Sequence, residues 1–398
     1  MKVLIAGAGI GGLSTALCLL KSGHEVQVFE QAPAVNEVGA GLQCGANALH
    51  VMEHLGLLEQ IQSLAVDPQS VQFRHYKSGE ILHTMALGGA YANKYGAPYL
   101  HIHRADLIGI LLRALQDQVH SSTAAHERLV LNARVSSYKE LSDSVNLQLD
   151  DGRTFSGDCL VAADGVKSLI RDQLLGEHKP NFTGMVAWRG VVPVDRLPAN
   201  WMDKLACNFM GPNKHVVLYY LRKQQLANFV GIVENPECKD DSWVSNAPWQ
   251  ELKADFEGWH PTVQTIIDAM DKQHCYRWAL YNHQPFNNWS SDRVTLLGDA
   301  AHSTLPFMAS GAAMAIEDAR ILQRGFDQSG SVAQALSLYQ RNRMQRTAKI
   351  QKRSSQMGSL YHIKNKLALK VAFTAIGLFG ARDEDFLPNY NANTIELI

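Results

Sequence analysis

No stretch of this sequence is both long enough and apolar enough to read as an integral membrane segment. The nearest candidate, Leu367 to Ala381, is broken by Lys370 and Gly377. It reads as a helix packed on the body, with a membrane-surface or oligomer contact as the other reading. An excess of charge is also missing. Against 38 acidic residues stand 37 lysines and arginines, a formal net charge of −1, so no overall attraction to nucleic acid or an anionic membrane arises. Cysteine is scarce: Cys18, Cys44, Cys159, Cys207, Cys238 and Cys275 show neither metal-ligand spacing nor the density of a disulfide scaffold. Reduced thiols in a cytoplasmic protein without a metal site are the simpler expectation. What is present is 46% hydrophobic and 8% aromatic residues over 398 positions, which suits a globular chain of two closely associated domains, monomeric or homodimeric.

The opening MKVLIAGAGIGG passes briefly for a leader peptide, but its glycine spacing and its continuation into an amphipathic helix ending in KSGHE read as folded structure. Val3 to Ala6 is a buried strand, Gly7-Ala8-Gly9-Ile10-Gly11-Gly12 a turn, Leu13 to Leu20 a helix, and Glu25 to Phe29 a second strand ending in Glu30. This order is that of a dinucleotide site. Gly7 permits the tight turn, Gly9 the approach of a pyrophosphate and Gly12 close helix–strand packing. The helix N-terminus offers unpaired N–H groups to phosphate, and Glu30 can accept hydrogen bonds from ribose hydroxyls. The fingerprint alone does not separate FAD from NAD. Glu37 to Gln43, before a helix from Asn47 to Leu55, leans toward FAD as a loop beside an extended cofactor, or else is an ordinary turn. Gln43 contacts flavin or substrate, or is simply a polar surface residue. Arg104, where a strand runs into a helix capped near Asp106, either reaches a pyrophosphate or bridges domains.

Short alternating runs from Leu129 to Leu149 suggest sheet, with Asp151-Gly152 as a hairpin turn. The apolar strand Cys159 to Ala163 delivers Asp164-Gly165 either to a second cofactor edge or to a helix cap with a solvent-side Arg171. Met185 to Val192, His215 to Leu221 and Leu226 to Val233 are rich in β-branched and aromatic residues and suggest a mixed or antiparallel sheet walling a substrate chamber. Trp243, Trp249 and Trp259 read as packing residues over it. A second glycine motif follows the strand Val294 to Leu297: Gly298-Asp299, a loop with His302 and Pro306, and a small-residue helix from Gly311-Ala312. Small side chains permit close backbone approach, and a helix N-terminus stabilises the negative charge of a reduced flavin. Asp299 suits a ribityl hydroxyl, and Pro306 shapes the backbone beside the flavin through its fixed φ. A purely structural strand–helix junction is the alternative. Arg341, Arg343, Arg346, Lys349, Lys352 and Arg353 read as a solvated or interdomain helix face.

Taken together, these segments resemble the single-component FAD-dependent aromatic hydroxylases, in the branch of salicylate hydroxylase, 3-hydroxybenzoate 6-hydroxylase and 6-hydroxynicotinate 3-monooxygenase. The likeness rests on Gly7 to Gly12 with Glu30, on Glu37 to Gln43 with Ala46-Asn47-Ala48, and on Arg104. It also rests on Ala163-Asp164-Gly165 with Ser168 and Arg171, on Gly298 to His302 with Pro306 and Gly311, and on Tyr361-His362. Departures are Gly45 for a common proline, Ser310 for a frequent glutamine, Tyr220 for a usual proline and Lys223-Gln224 for a Gly-Gly turn. The resemblance implies an α/β fold with an α+β second domain. A Rossmann-like FAD-binding domain (1–70, 98–180 and 275–330) would be interleaved with a mixed or antiparallel-sheet substrate domain (71–97 and 181–274), followed by C-terminal helices (331–398).

It further implies bound FAD, NADH or NADPH as transient donor, and O2 spent on a small aromatic substrate through a flavin C4a-hydroperoxide. Water exclusion and charge placement fall to the protein. His215 is the first candidate for the base that deprotonates a phenol, with Tyr219 as its partner or the substrate's, since an even offset on a strand puts both on one face. A satisfied core histidine is the alternative for His215. His302 either positions the flavin ring or packs its loop, and Arg189 either attracts a carboxylate or holds the sheet edge. An FAD-dependent dehydrogenase or reductase on the same fold is the competing function; a nicotinamide-only enzyme or a non-catalytic nucleotide binder would leave the second motif unexplained.

Overall fold

The computed structural model describes residues 1–35, 41–119, 128–237, 245–379 and 385–398. Glu37 to Ala40 of the expected flavin-side loop, Cys238, Trp243 and Ala381 lie outside the described residues. Lys2–Ala6 is a strand buried from Val3 onward, and Glu25–Phe29 lies beside it in parallel, with Val3 opposite Val26 and Ile5 opposite Val28. A parallel pair needs a crossover, and helix Ile10–Lys21 supplies it, stopping at Ser22 before Gly23 turns the chain. Five parallel strands line up in the order Val294–Leu296, Cys159–Ala162, Lys2–Ala6, Glu25–Phe29 and Leu129–Val130. Helix Ile10–Lys21 packs against both Arg104–Val119 and Gly311–Gln328. The run from Leu129 to Leu149 divides: its first two residues close the edge of the parallel sheet. Val135–Glu140, Val145–Leu149 and Thr154–Gly157 form a separate antiparallel sheet. Alternation announces a strand but does not say which sheet it joins.

The second layer is a mixed sheet of eight strands. Their order is Ser245–Asn246, Tyr276–Asn282, Asn181–Pro193, Leu226–Glu234, Lys214–Leu221, Ala206–Gly211, Ser70–His75 and Ile81–Ala86. The pairing of Ala206–Gly211 with Ser70–His75 is parallel; the other pairs are antiparallel. Tyr276–Asn282 belongs to this sheet although it falls beyond the expected 274/275 boundary. One face is buried under helices Trp249–Asp255 and Pro261–Ala269 through Trp188, Phe209, Val216, Phe229, Leu252 and Val263. Trp188 keeps its indole N–H satisfied there by donating to Asp255 at 2.7 Å. Because successive strand side chains alternate, the opposite face must carry Arg189, His215, Val217, Tyr219, Val230 and Ile232, and all six line a cavity.

Two local expectations are corrected. The helix after Leu100–His103 starts at Arg104, so Asp106 sits in its first turn rather than capping it, and its carboxylate accepts both bonds of the Arg222 fork. Of the basic residues on helix Val332–Tyr361, Arg343 points fully inward, with Glu317 and Asp318 each within 2.7 Å, so of the solvated and interdomain readings of this face the solvated one does not hold for it. The helix near the C-terminus, Lys366–Phe379, buries Leu369 and Phe373 while Leu367 and Val371 stay exposed. No helix among the described residues is long and apolar enough to cross a membrane.

The hairpin joining Lys214–Leu221 to Leu226–Glu234 shows what the missing Gly-Gly does. Arg222, Lys223 and Gln224 stand at φ +48°, +55° and +69°, where a Cβ crowds the backbone. Gln224→Gly is therefore expected to raise stability by about 0.5–1 kcal/mol, the relief of a left-handed residue less the extra freedom glycine gives the unfolded chain. A urea midpoint that fails to rise would show that the turn holds no strain at this position.

Candidate active site

Between the two sheets runs a cavity of about 1540 Å³. Pockets for one small ligand span roughly 300–1,000 Å³, so this one has room for a dinucleotide and a ring together. At its nucleotide end Gly7 adopts φ +99°, and a Cβ there would fall on the Ala163 carbonyl; one on Gly12 would fall on the carbonyl of Gly7. Gly9 is different: nothing lies within 4 Å of where its Cβ would be, and it opens on the cavity. Helix Ile10–Lys21 begins at that point with no side-chain cap, leaving its first N–H groups for an anion. Glu30 lines the same end, its two oxygens held by the N–H groups of Ala8 at 3.0 Å and Ala32 at 2.9 Å.

At the other end Gly298, at φ +63°, turns the strand Val294–Leu296 so that Asp299 presents an exposed carboxylate to the cavity. Pro306 opens a tight helical turn there, and Gly311 and Ala312 start helix Gly311–Gln328, which also lacks a side-chain cap. Asp164 Oδ1 and Thr304 Oγ1 line the cavity and are buried without hydrogen-bond partners among the described residues. An open cradle at Gly9, two uncapped helix starts and two unsatisfied oxygens fit a long cofactor with phosphates at one end and a hydroxylated chain and ring at the other. Arg104 and Gln43 line the stretch between, Gln43 with its oxygen held by the Tyr99 hydroxyl at 2.8 Å. Ser168 caps the helix after Asp164-Gly165, but Arg171 is buried, donating to the Val166 carbonyl, and is not on the solvent side.

The chamber wall brings His215, Tyr219 and Arg189 onto one face, and Tyr219 and His215 both line the cavity as the even offset requires. Arg189 is half-buried, with a buried Nε that lacks a partner among the described residues; desolvation lowers its pKa, with Tyr219 opposing the shift and the like-charged Arg104 adding to it. The Arg189 guanidinium lies 5.5 Å from the centre of the Trp278 ring. His215 is 1% exposed and packs edge-on to Phe307 and Tyr361. Burial, then the neighbouring His362, holds its pKa well below the usual histidine range, so the ring is neutral and able to accept a proton. The Tyr219 ring packs on Gly41 and lies 4.5 Å from His101.

His302 is placed elsewhere. It does not line the cavity but turns into the body, where its Nε2 meets Asp318 at 2.5 Å. The packing alternative, not the flavin-facing one, is what this geometry supports. The places of two histidines escaped sequence reasoning, although His362 belongs to the Tyr361-His362 pair of the resemblance. His101, behind Tyr219, is fully buried with neither ring nitrogen bonded among the described residues, and burial pushes its pKa down to about 3. His362 bonds His215 across 147 positions of sequence. Only the sheet register and the C-terminal helix bring these residues together, and no local pattern signals it.

Residues 1–354 match the family described as FAD binding domain. The chain belongs to that family, among the FAD-dependent aromatic hydroxylases, and FAD is its cofactor. It is 34% identical over 355 residues to 6-hydroxynicotinate 3-monooxygenase of Bordetella bronchiseptica, covering 88% of this chain and 90% of that one. With 3-hydroxybenzoate 6-hydroxylase of Polaromonas naphthalenivorans it shares 35% over 364 residues, 91% and 88% of the two chains. Among solved structures, HpxO of Klebsiella pneumoniae complexed with FAD and uric acid superimposes with a TM-score of 0.84 at 28% identity, covering 98% of this chain and 96% of the other. A salicylate hydroxylase substrate complex gives 0.82 at 25% identity, with the same coverage.

Asp299→Ala is expected to weaken FAD retention at least tenfold, about 1.4 kcal/mol, the order of one hydrogen bond to a charged group. An unchanged flavin content and affinity on dialysis would remove the ribityl contact. His101 supplies a pH test of the chamber's back wall. Its folded pKa lies below the unfolded value, so the unfolded state binds more protons and stability falls with pH from about 6.5 toward 3. His101→Phe should therefore lose about 1–2 kcal/mol less than the parent between pH 6.5 and 5, as read from paired urea titrations. Parallel losses in both proteins would show that His101 does not titrate in this way.

Proposed function

We propose that this protein is a single-component FAD-dependent monooxygenase that hydroxylates a small, already hydroxylated aromatic acid, a hydroxybenzoate or a hydroxylated N-heteroaromatic acid, with NADH or NADPH as donor and O2 as co-substrate. The observation that carries this reading is the chamber sheet. Its inner face puts a neutral buried histidine, a tyrosine and a half-buried arginine into the cavity that also holds the Asp299 and Gly311 cradle. Glycines 7, 9 and 12 with Glu30 would hold the adenosine and pyrophosphate end of FAD. Arg104, Gln43, Asp164, Gly298, Asp299, Pro306, Gly311 and Ala312 would hold its ribityl chain and ring. Bound there, FAD supplies the redox chemistry, accepting a hydride from the nicotinamide donor and activating oxygen for transfer to a carbon ortho or para to a ring hydroxyl.

The chain's own residues would then do three things. Arg189, half-buried and with a buried Nε lacking a partner among the described residues, anchors the substrate carboxylate, because a desolvated guanidinium is stabilised most by an anion that replaces its lost water. His215 Nε2 accepts the proton of the ring hydroxyl, which makes the carbon to be attacked electron-rich, with Tyr219 orienting the ring. Phe73, Val217, Ile232 and Phe307 present apolar surface that keeps water from the reacting oxygen. Relatives named for 6-hydroxynicotinate and 3-hydroxybenzoate support this substrate class. So does the chemistry of an arginine paired with a base.

The test is turnover of the FAD-loaded protein with hydroxybenzoates, hydroxypyridine carboxylates and quinolones, following donor oxidation, oxygen uptake and product mass. An oxygenated product in step with oxygen uptake is expected. Donor oxidation with every electron pair lost to hydrogen peroxide, or with a product lacking new oxygen, would favour an FAD-dependent reductase or dehydrogenase. His215→Ala should lower the rate by about 10²-fold at pH values below the ionisation of the substrate hydroxyl, and the deficit should shrink as pH rises through it. An unaltered pH–rate profile would take His215 out of the base role.

A further inference from the structure

The one ring nitrogen of His215 not turned to the chamber starts a chain of hydrogen bonds that runs outward. His215 Nδ1 meets His362 Nε2 at 2.8 Å, and His362 Nδ1 meets Glu234 Oε1 at 2.6 Å. Exposure rises along it: 1% for the His215 residue, then 4% and 39% for the His362 and Glu234 side chains. Glu234 ends its strand at the surface, its backbone N–H taken by the Asn213 carbonyl. The titratable groups that meet the two rings are Glu234 and Tyr361, which packs 5.1 Å from His215 with its hydroxyl turned to the Phe307 carbonyl. Lys214, the neighbour of His215 in sequence, is turned to Asp255. No lysine, arginine or aspartate bonds either ring among the described residues.

Direction follows from the donor count. A carboxylate only accepts, so His362 carries its proton on Nδ1; a neutral ring then accepts at Nε2, so His215 carries its proton on Nδ1 as well. The His215 nitrogen left bare is Nε2, the one facing the chamber. We infer that His362 and Glu234 continue His215 into a proton wire, which carries the substrate's hydroxyl proton from the closed chamber to a surface carboxylate and returns one later in the cycle. The inference rests on His215 being the base. His362 and Glu234 touch neither substrate nor cofactor; they are positioning residues that act through His215.

Each transfer balances. The substrate O–H breaks as His215 Nε2 gains its proton, the His215 Nδ1 proton passes to His362 Nε2, and the His362 Nδ1 proton passes to Glu234. The sum is a bound phenolate and a protonated Glu234, with no change of oxidation state. Both rings end in the opposite tautomer, and a proton moving inward to the product's oxygen restores them, so one turnover resets the wire. Burial explains the need for it. An imidazolium in this chamber is costly, and His215 cannot keep the proton it takes. His362, also shifted down by burial but pulled up by Glu234, is the easier next holder.

The variants are His362→Gln and Glu234→Gln. Glutamine at 362 can accept from His215 and donate to Glu234, yet it cannot relay; glutamine at 234 can accept from His362 but cannot take the proton. FAD-loaded protein is mixed with 3-hydroxybenzoate or 6-hydroxynicotinate in weak buffer containing a pH-indicator dye, and phenolate absorbance and proton release are followed together. Both variants should slow proton release at least about tenfold at pH 7, with a deficit that shrinks as pH rises, and added imidazole should restore Glu234→Gln but not His362→Gln. In substrate-free protein, ¹⁵N-histidine NMR should find both rings protonated on Nδ1.

A parental proton-release rate and pH profile in both variants, with His215→Ala slow, would overturn the wire and leave the base intact. A parental rate in His215→Ala as well would overturn both. A proton found on Nε2 of either ring would overturn the wire without any substrate.

Discussion

The cofactor loop is held in place by two carboxylates that have no contact with water. Asp318 accepts the N–H of Gly298 at 3.1 Å, meets His302 at 2.5 Å and takes the Nε of Arg343 at 2.6 Å. Glu317, its neighbour on the same helix, takes Arg343, Arg346 and the amide of Asn47. Burial alone would push both carboxyls up. For Asp318, His302 and Arg343 outweigh it and hold the group down at about 2; for Glu317, Arg346 and Arg343 outweigh it and lower the pKa. Buried ions earn little net stability, since desolvation consumes most of the Coulomb gain. What they give here is position: the donors they accept come from three segments, the turn from Gly298 to His302, helix Val332–Tyr361 and Asn47, and losing one partner leaves a charge with nowhere to turn. The left-handed Gly298, the exposed Asp299 and the helix start at Gly311 keep their relative places because the same pair of acids binds behind them.

The chamber works by the opposite arrangement. Its sheet offers apolar side chains with few polar groups, so any charge there is destabilised unless a partner arrives. On the proposed reading Arg189 would favour an anionic guest, while burial keeps His215 neutral. The two residues lie two strands apart, about 10 Å in the hydrogen-bonding direction. That span suits an aromatic acid held at its carboxylate while its hydroxyl meets the base.

Much of the cofactor side was legible because glycines carry their reason in the backbone. Gly7 and Gly12 have no room for a Cβ, and the strand, turn, helix and acid that surround them recur in fixed order. The chamber strands from 181 to 234 were legible from their β-branched and aromatic content, and the shared face of His215 and Tyr219 from the period of two. Partner choice was not legible. Arg343 looks the same in sequence whether it faces solvent or two acids, and His302 sits in a flavin-like motif yet turns away from it. Sheet membership was obscure for the same reason, as the edge strand Leu129–Val130 and the strand Tyr276–Asn282 show. Their pairing with Glu25–Phe29 and Asn181–Pro193 is set across 87 to 101 residues.

One helix joins the two halves of the site. Val332–Tyr361 runs about 45 Å at 1.5 Å per residue, and near its start Tyr339 and Arg343 lie behind the flavin loop. A few turns on, Gln351 and Ser354 donate to the carbonyls of Ser303 and Leu305, fixing the path that leads to Pro306. At its end Gly358 leaves no space for a side chain against Phe307, and Phe307 in turn packs on His215. The loop that shapes the flavin side and the ring that stands beside the base are thus pinned to one rigid rod. A shift of Phe307 would have to move His215 or bend this helix. The distance between the flavin-side loop and the proposed proton acceptor is in this way set by backbone packing, and the proposed wire leaves His215 where the helix stops, at His362.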